Sequence, residues 1–214
     1  ALALPCARLL GTLSDEWLGK EEQGQLSVVR TDGYLAHGRL VAGREHGIWR
    51  HWHFMRSGVK CQTRTYIHGE NTGRSEFYVN GSLRDVHYRK AGALHGSRLR
   101  YSSDGKLLSA AEYRNYVRIG LVADWRHSGA LFRVGFWSGL LTGWDIWWNR
   151  QGRPTDFVDL RNGSGIYRSY YDNGTVCLRG SVVGGEPAGV WTHHDRNGKV
   201  HRQLSDPAEA ADWV

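Results

Sequence analysis

Short stretches of five to eight residues in which apolar and polar positions alternate recur along the chain, and each ends in a dipeptide closed by Gly. The dipeptides are Asp32-Gly33, Ser57-Gly58, Asn80-Gly81, Asp104-Gly105, Ser128-Gly129, Gln151-Gly152, Asn173-Gly174 and Asn197-Gly198, separated by 25, 23, 24, 24, 23, 22 and 24 residues. A second series, Gly24, Gly47, Gly73, Gly96, Gly120, Gly143, Gly165 and Gly189, lies nine residues before its partner in six of the eight units. Asn-Gly and Asp-Gly supply the positive φ angles of tight hairpin turns. The flanking stretches have strand length, so each unit reads as one β-hairpin. A lone hairpin is marginal in water, so consecutive hairpins have to pair edge to edge. The expectation is an all-β fold: an elongated or curved antiparallel sheet of about eight hairpins, roughly fourteen to sixteen strands, with one short terminal helix.

Strand parity divides each unit into two faces. The fifth residue after the first Gly is Trp52, Tyr78, Tyr101, Trp125, Trp148, Tyr170 or His194, aromatic in six of these seven units. That constancy assigns the column, with Ile48, Leu99, Leu121, Ala123, Trp144, Ile146, Ile166 and Val190 on the same parity, to the core, with Arg50, Arg74, Glu76 and Arg168 as the exceptions. The opposite parity, which includes Trp49, Phe77, Arg98, Arg100, Asp124, Arg126, Asp145, Trp147, Tyr167 and Trp191, has no constant column. It is expected to carry unit-specific recognition.

Composition narrows the class. Ten Trp, ten Tyr and five Phe in 214 residues argue against disorder, and 28 Gly fit a chain rich in turns. No window approaches the roughly 18 apolar residues of a membrane-spanning helix. The net charge of +7 admits acidic partners. The basic residues are scattered without a run of nucleic-acid type, so no nucleic acid is expected as a partner.

The segments Gly43-Arg44-Glu45-His46-Gly47-Ile48-Trp49-Arg50-His51-Trp52 and Gly185-Glu186-Pro187-Ala188-Gly189-Val190-Trp191 carry a Gly-xxx-Gly-x-Trp pattern. This pattern resembles the MORN-repeat variant found in bacterial antitoxin and immunity proteins, over about residues 24–201. Ser75, Arg98, Val122 and Asp145 replace the Trp in other units. The resemblance implies a binding protein without catalysis that neutralises a cognate secreted antibacterial toxin, for example a lipase effector of the type VI secretion system. The alternative is a MORN-type scaffold or a protein that contacts an anionic lipid surface.

Local chemistry is sparse. His46, His51, His53 and His193-His194-Asp195 suggest a metal or proton relay, but adjacent His193 and His194 point to opposite faces and no further ligand has a fixed spacing. There is no Gly-x-Ser-x-Gly elbow, and Cys61 and Cys177 lack a local nucleophile signature. No catalytic residue, metal or cofactor is therefore expected. The partner-binding residues are expected to be Phe77, Arg98, Arg100, Asp124, Arg126, Asp145, Trp147, Tyr167 and Tyr171. The carboxylates among them suit a basic, phosphate-binding pocket of a phospholipase.

The termini carry their own expectations. Ala1-Leu2-Ala3-Leu4-Pro5-Cys6 reads as the stub of a removed export signal, which implies a periplasmic location. Under export, Cys6 with Cys61 is a more plausible disulfide than Cys61 with Cys177. Residues 1–20 are expected to cap the first edge, residues 21–203 to form the repeat domain, and residues 204–214 to form a helical cap.

Overall fold

The computed structural model describes residues 21–22, 25–29, 34–53, 60–139 and 141–205, with side chains described over 35–52, 61–139 and 141–205. The expected cap at residues 1–20 and Cys6 lie outside the described residues, as does the expected cap at 204–214 except for Leu204, which ends a strand, and Ser205. Every regular element among the described residues is a strand. The chain divides into two compact units, residues 1–95 with 103–105, and residues 96–102 with 106–214.

The first unit contains β1 (Glu21–Glu22), β2 (Gln25–Val29), β3 (Tyr34–Val41), β4 (Arg44–His53), β5 (Lys60–Ile67), β6 (Glu70–Asn71), β7 (Gly73–Val79) and β8 (Ser82–Lys90). Each pairs antiparallel with its sequence neighbour, except that β5 pairs both β6 and β7. In the second unit one ladder runs through β9 (Ala93–Tyr101, from Gly96 onward), β10 (Leu107–Arg114), β11 (Val117–Trp125), β12 (Leu131–Trp137), β13 (Gly143–Trp148) and β14 (Pro154–Asp159). A separate four-stranded ladder follows, with β15 (Gly165–Tyr170), β16 (Val176–Val183), β17 (Glu186–His194) and β18 (Val200–Leu204). The sequence-based expectation of antiparallel hairpins holds.

Seven hairpins carry the same irregularity. Just past its turn glycine the returning strand holds one extra residue, successively Cys61, Arg84, Leu108, Phe132, Thr155, Cys177 and His201. A bulge of this kind breaks the ladder locally and increases twist. The aromatic column Trp52, Tyr78, Tyr101, Trp125, Trp148 and Tyr170 sits beside these bulges and is half-buried. It is constant because it packs at the turn end of each hairpin.

The face assignment from parity is therefore reversed. Trp49, His51, Ser75, Val122, Asp145, Trp147, Tyr167 and Trp191 are buried, whereas Leu121 and Val190 are 63% and 58% exposed and Ile48 and Ile166 are also exposed. In three units a second bulge, at the first glycine, accompanies this burial. Gly47, Gly120 and Gly189 have φ of 73°, 68° and 63°, and each opens a register shift in the pairing with the preceding strand. In the first and last of these, Gly47-Ile48-Trp49 opposes the single Gly38, and Gly189-Val190-Trp191 opposes the single Gly180. The bulge turns the tryptophan inward over that lone glycine. A Cβ at Gly38 would stand 2.3 Å from the Trp49 ring, and one at Gly180 would stand 2.0 Å from the Trp191 ring.

In the first unit Ala36, Trp49 and Tyr66 form a small core. In the second, one core joins both ladders, with ring centroids 6.4 Å apart for Trp137 and Tyr167 and 5.6 Å apart for Tyr167 and Trp191. At the junction Asp156 on β14 accepts from Arg168 Nε at 2.7 Å and from the Tyr170 hydroxyl on β15, which lowers its pKa against the opposing effect of burial. Side chains take over where the backbone ladder stops. Cys61 and Cys177 are free thiols, and Cys61 Sγ donates to the His51 carbonyl at 3.3 Å.

Gly180→Ala is expected to cost about 1–3 kcal/mol by forcing a methyl group into the Trp191 ring, and Trp191→Ala about 3–5 kcal/mol. In the Trp191→Ala background the Gly180→Ala change should be nearly neutral. Urea denaturation of the four proteins in this double-mutant cycle measures the coupling, and additive losses would reject the ring-on-glycine account.

Candidate interaction surface

The inward face of the second unit holds most of the residues expected to bind a partner. One cross-strand row runs Arg98, Ala111, Val122, Gly135, Asp145, Val158, and the next runs Arg100, Ser109, Asp124, Arg133, Trp147, Asp156. Asp145, Trp147 and Tyr167 are 0%, 3% and 2% exposed, so in this fold no partner reaches them. Arg126 is committed to structure, because its guanidinium donates to the carbonyls of Trp148 (2.6 Å) and Asp172 and lies over the Phe132 ring. Tyr171 donates its hydroxyl to the His194 carbonyl at 2.6 Å. Phe77 in the first unit and Arg100 are exposed, and Arg98 and Asp124 are half-buried.

The buried polar group is compact. Asp145 Oδ1 accepts from Trp137 Nε1 at 3.1 Å and lies 3.2 Å from Arg133 Nε, which is 3.6 Å from Asp124 Oδ2. The Arg133 guanidinium also sits 5.1 Å from the Trp147 ring centre. Asp145 Oδ2 has no hydrogen-bond partner among the described residues. Desolvation pushes the Asp145 carboxyl up to about 6, against the opposing pull of Arg133, the Trp137 hydrogen bond and Arg118. Gly135 leaves the room, since a Cβ there would fall 1.8 Å from Asp145 Oδ1.

Two clusters resemble chemistry on paper. Ser75 and His87 are directly opposed across β7 and β8, and His87 Nδ1 lies 2.5 Å from Asp85 Oδ1. Arg89 Nε, however, donates to His87 Nε2 at 3.1 Å, and Ser75 Oγ donates to Asn71 Oδ1 at 3.3 Å. The serine–imidazole hydrogen bond that activates a nucleophile is absent from this group. His193 stands 3.3 Å from the Tyr171 hydroxyl and packs edge-on against His201. No group of three metal-ligating side chains forms among the described residues.

The outward face of β9–β14 is different in kind. A cross-strand row runs Leu99, Ala110, Ala123, Val134, Ile146, Phe157, apolar in all six strands. Two residues away along the strands lies a second row, Leu121, Phe136 and Trp144. On the turn side stand Tyr101, Trp125 and Trp148. Leu121, Phe136 and Phe157 are 63%, 44% and 49% exposed. Water-facing apolar side chains in one contiguous set mark interaction surfaces. Leu121, Ala123 and Trp125 on β11 and Trp144, Ile146 and Trp148 on β13 mark this parity as apolar in the sequence, but the constant aromatic column within it suggested a core.

Charge is uneven around this face. At the hairpin turns that join β9 to β10, β11 to β12, β13 to β14, β15 to β16 and β17 to β18 stand Lys106, Arg126, Arg150, Arg153, Arg196 and Lys199 against Asp104, Asp172 and Asp195. Arg150 and Arg196 both pair with Asp172, whose pKa they lower. The opposite edge has Arg114, Arg118 and Arg161 against Glu112, Asp159 and Glu186, an even balance.

Residues 94–115 match the MORN repeat variant. They correspond to the β9–β10 hairpin, whose glycine spacing recurs through the other units. No curated protein matches the chain.

The Asp145 geometry makes stability depend on pH. Its folded pKa lies above the usual 3.8, so between about pH 4 and 6 the folded state holds a proton that the unfolded chain releases. Stability from this group is full below that window and falls as pH rises through about 6, by at most about 3 kcal/mol. Asp145→Asn should flatten the difference in urea midpoint between pH 4.5 and 7.5, and an unchanged pH profile would contradict the assignment.

Proposed function

We propose that this chain is a non-catalytic binding protein that holds a partner protein on the outward face of β9–β14. The observation that carries this reading is the apolar row across six strands with Leu121, Phe136 and Phe157 open to water. The partner class follows from the resemblance of the repeat to antitoxin and immunity proteins: a secreted protein toxin, neutralised by covering its active site or its approach to a membrane. A phospholipase effector is one such toxin, and a periplasmic site of action accords with it. The second reading, a MORN-type scaffold or lipid-surface binder, draws support from the basic turn edge and from the repeat match.

Affinity capture from the producing strain with the wild-type chain and with Leu121→Glu/Phe136→Glu tests the first reading. The double variant should lose the partner, by about 2–4 kcal/mol for central anchors, while its melting curve changes little because both positions face water. The captured protein should be toxic when expressed alone and harmless when co-expressed with the wild-type chain. Equal capture by both proteins would remove the outward face from the binding site.

A further inference from the structure

The outward face of β9–β14 has a cross-section as well as a composition. Its middle row is small near the centre, with Ala110 and Ala123 on adjacent strands in direct register. Leu121 and Phe136 rise on one side, and Trp125 and Trp148 stand on the other. Rows two residues apart along a strand are separated by about 6.7 Å, so the two walls are about 13 Å apart. Five strand spacings of about 4.8 Å give a row about 24 Å long, low at Ala110 and Ala123 and higher at Leu99 on one end and at Val134, Ile146 and Phe157 toward the other. An α-helix with its side chains is about 10–12 Å across, and about 24 Å of helix is roughly sixteen residues.

From this shape and the charge around it we propose that the partner element is an amphipathic α-helix of about four turns, with an apolar stripe on the Ala110–Ala123 floor and carboxylates along the flank facing the turn edge. The proposal rests on the binding role given above and adds the form and charge of what binds. Helix-in-groove recognition uses such a stripe. The electrostatic argument is the turn edge, where Lys106, Arg150 and Arg153 beside the Trp125 and Trp148 wall outnumber Asp104, against an opposite edge in which Arg114, Arg118 and Arg161 are balanced by Glu112, Asp159 and Glu186. An acidic flank is attracted on one side only, which fixes the helix direction as well as its affinity. A planar lipid surface would touch the walls and leave the alanine floor unfilled. A convex helix reaches it.

The test uses two dye-labelled sixteen-residue peptides with the same leucine stripe, one with Glu along one flank and one with Lys there, and fluorescence polarisation against the full chain. The Glu peptide should bind in 50 mM salt and weaken at least tenfold in 500 mM salt. It should also weaken at least tenfold against Ala123→Arg, which raises the floor. Arg150→Glu/Arg153→Glu, at exposed turn positions that leave folding intact, should reverse the preference between the two peptides. Binding of neither peptide, equal binding of both, or affinity that survives Ala123→Arg in a folded protein would overturn the proposal. So would binding to phosphatidylserine vesicles without binding to the Glu peptide. Capture of a cellular partner that depends on Leu121 and Phe136, with no peptide binding, would leave the binding role standing and remove the helix. Peptide binding with no captured partner would do the reverse.

Discussion

Trp191 occupies the space that a side chain at position 180 would fill, and Trp49 does the same above Gly38. The sheet depends on this substitution of one residue's bulk for another's absence. Among the described residues no helix lies over either face, so inward side chains have only one another to pack against. A large ring on one strand and a glycine on the next is how a hairpin repeat reaches full burial without a second layer. The left-handed glycine before each of these tryptophans makes the bulge that aims it.

The same constraint explains the polar core. Where the second position is Asp145 in place of a tryptophan, the opposing residue is again glycine, Gly135, and the space is taken by a carboxylate held by Trp137 and Arg133. Desolvation of that carboxylate outweighs its ion pair and raises its pKa to about 6. A buried pair of this kind is costly to break and weakly stabilising when intact. It fixes the relation of β12 to β13 through directional bonds that apolar packing lacks.

Burial of one face decides what remains for function on the other. The strands of the first ladder in the second unit place Leu99, Ala110, Ala123, Val134, Ile146 and Phe157 on the side away from the core. Apolar residues there add nothing to the buried cluster, and their exposure is a cost that a bound partner would remove. The bulges beside each turn keep the aromatic column at one margin of that face, and the cations of the turns line the same margin.

By itself the sequence determined the repeat, the hairpins and the antiparallel order, because glycine spacing and turn chemistry are local and survive any packing arrangement. Asn80-Gly81 and Asn197-Gly198 are turns whatever lies above them. Which face is the core was not local. Trp49 and Trp52 are equally aromatic, and strict alternation puts them on opposite sides, so composition along one strand leaves the choice open. The choice was made by a glycine on the neighbouring strand, Gly38 for Trp49 and Gly180 for Trp191, and by bulges that become visible only when two strands are in register. The interaction surface inherited that ambiguity: Asp145, Trp147 and Tyr167 look like anchors in the chain, and tertiary packing made them core.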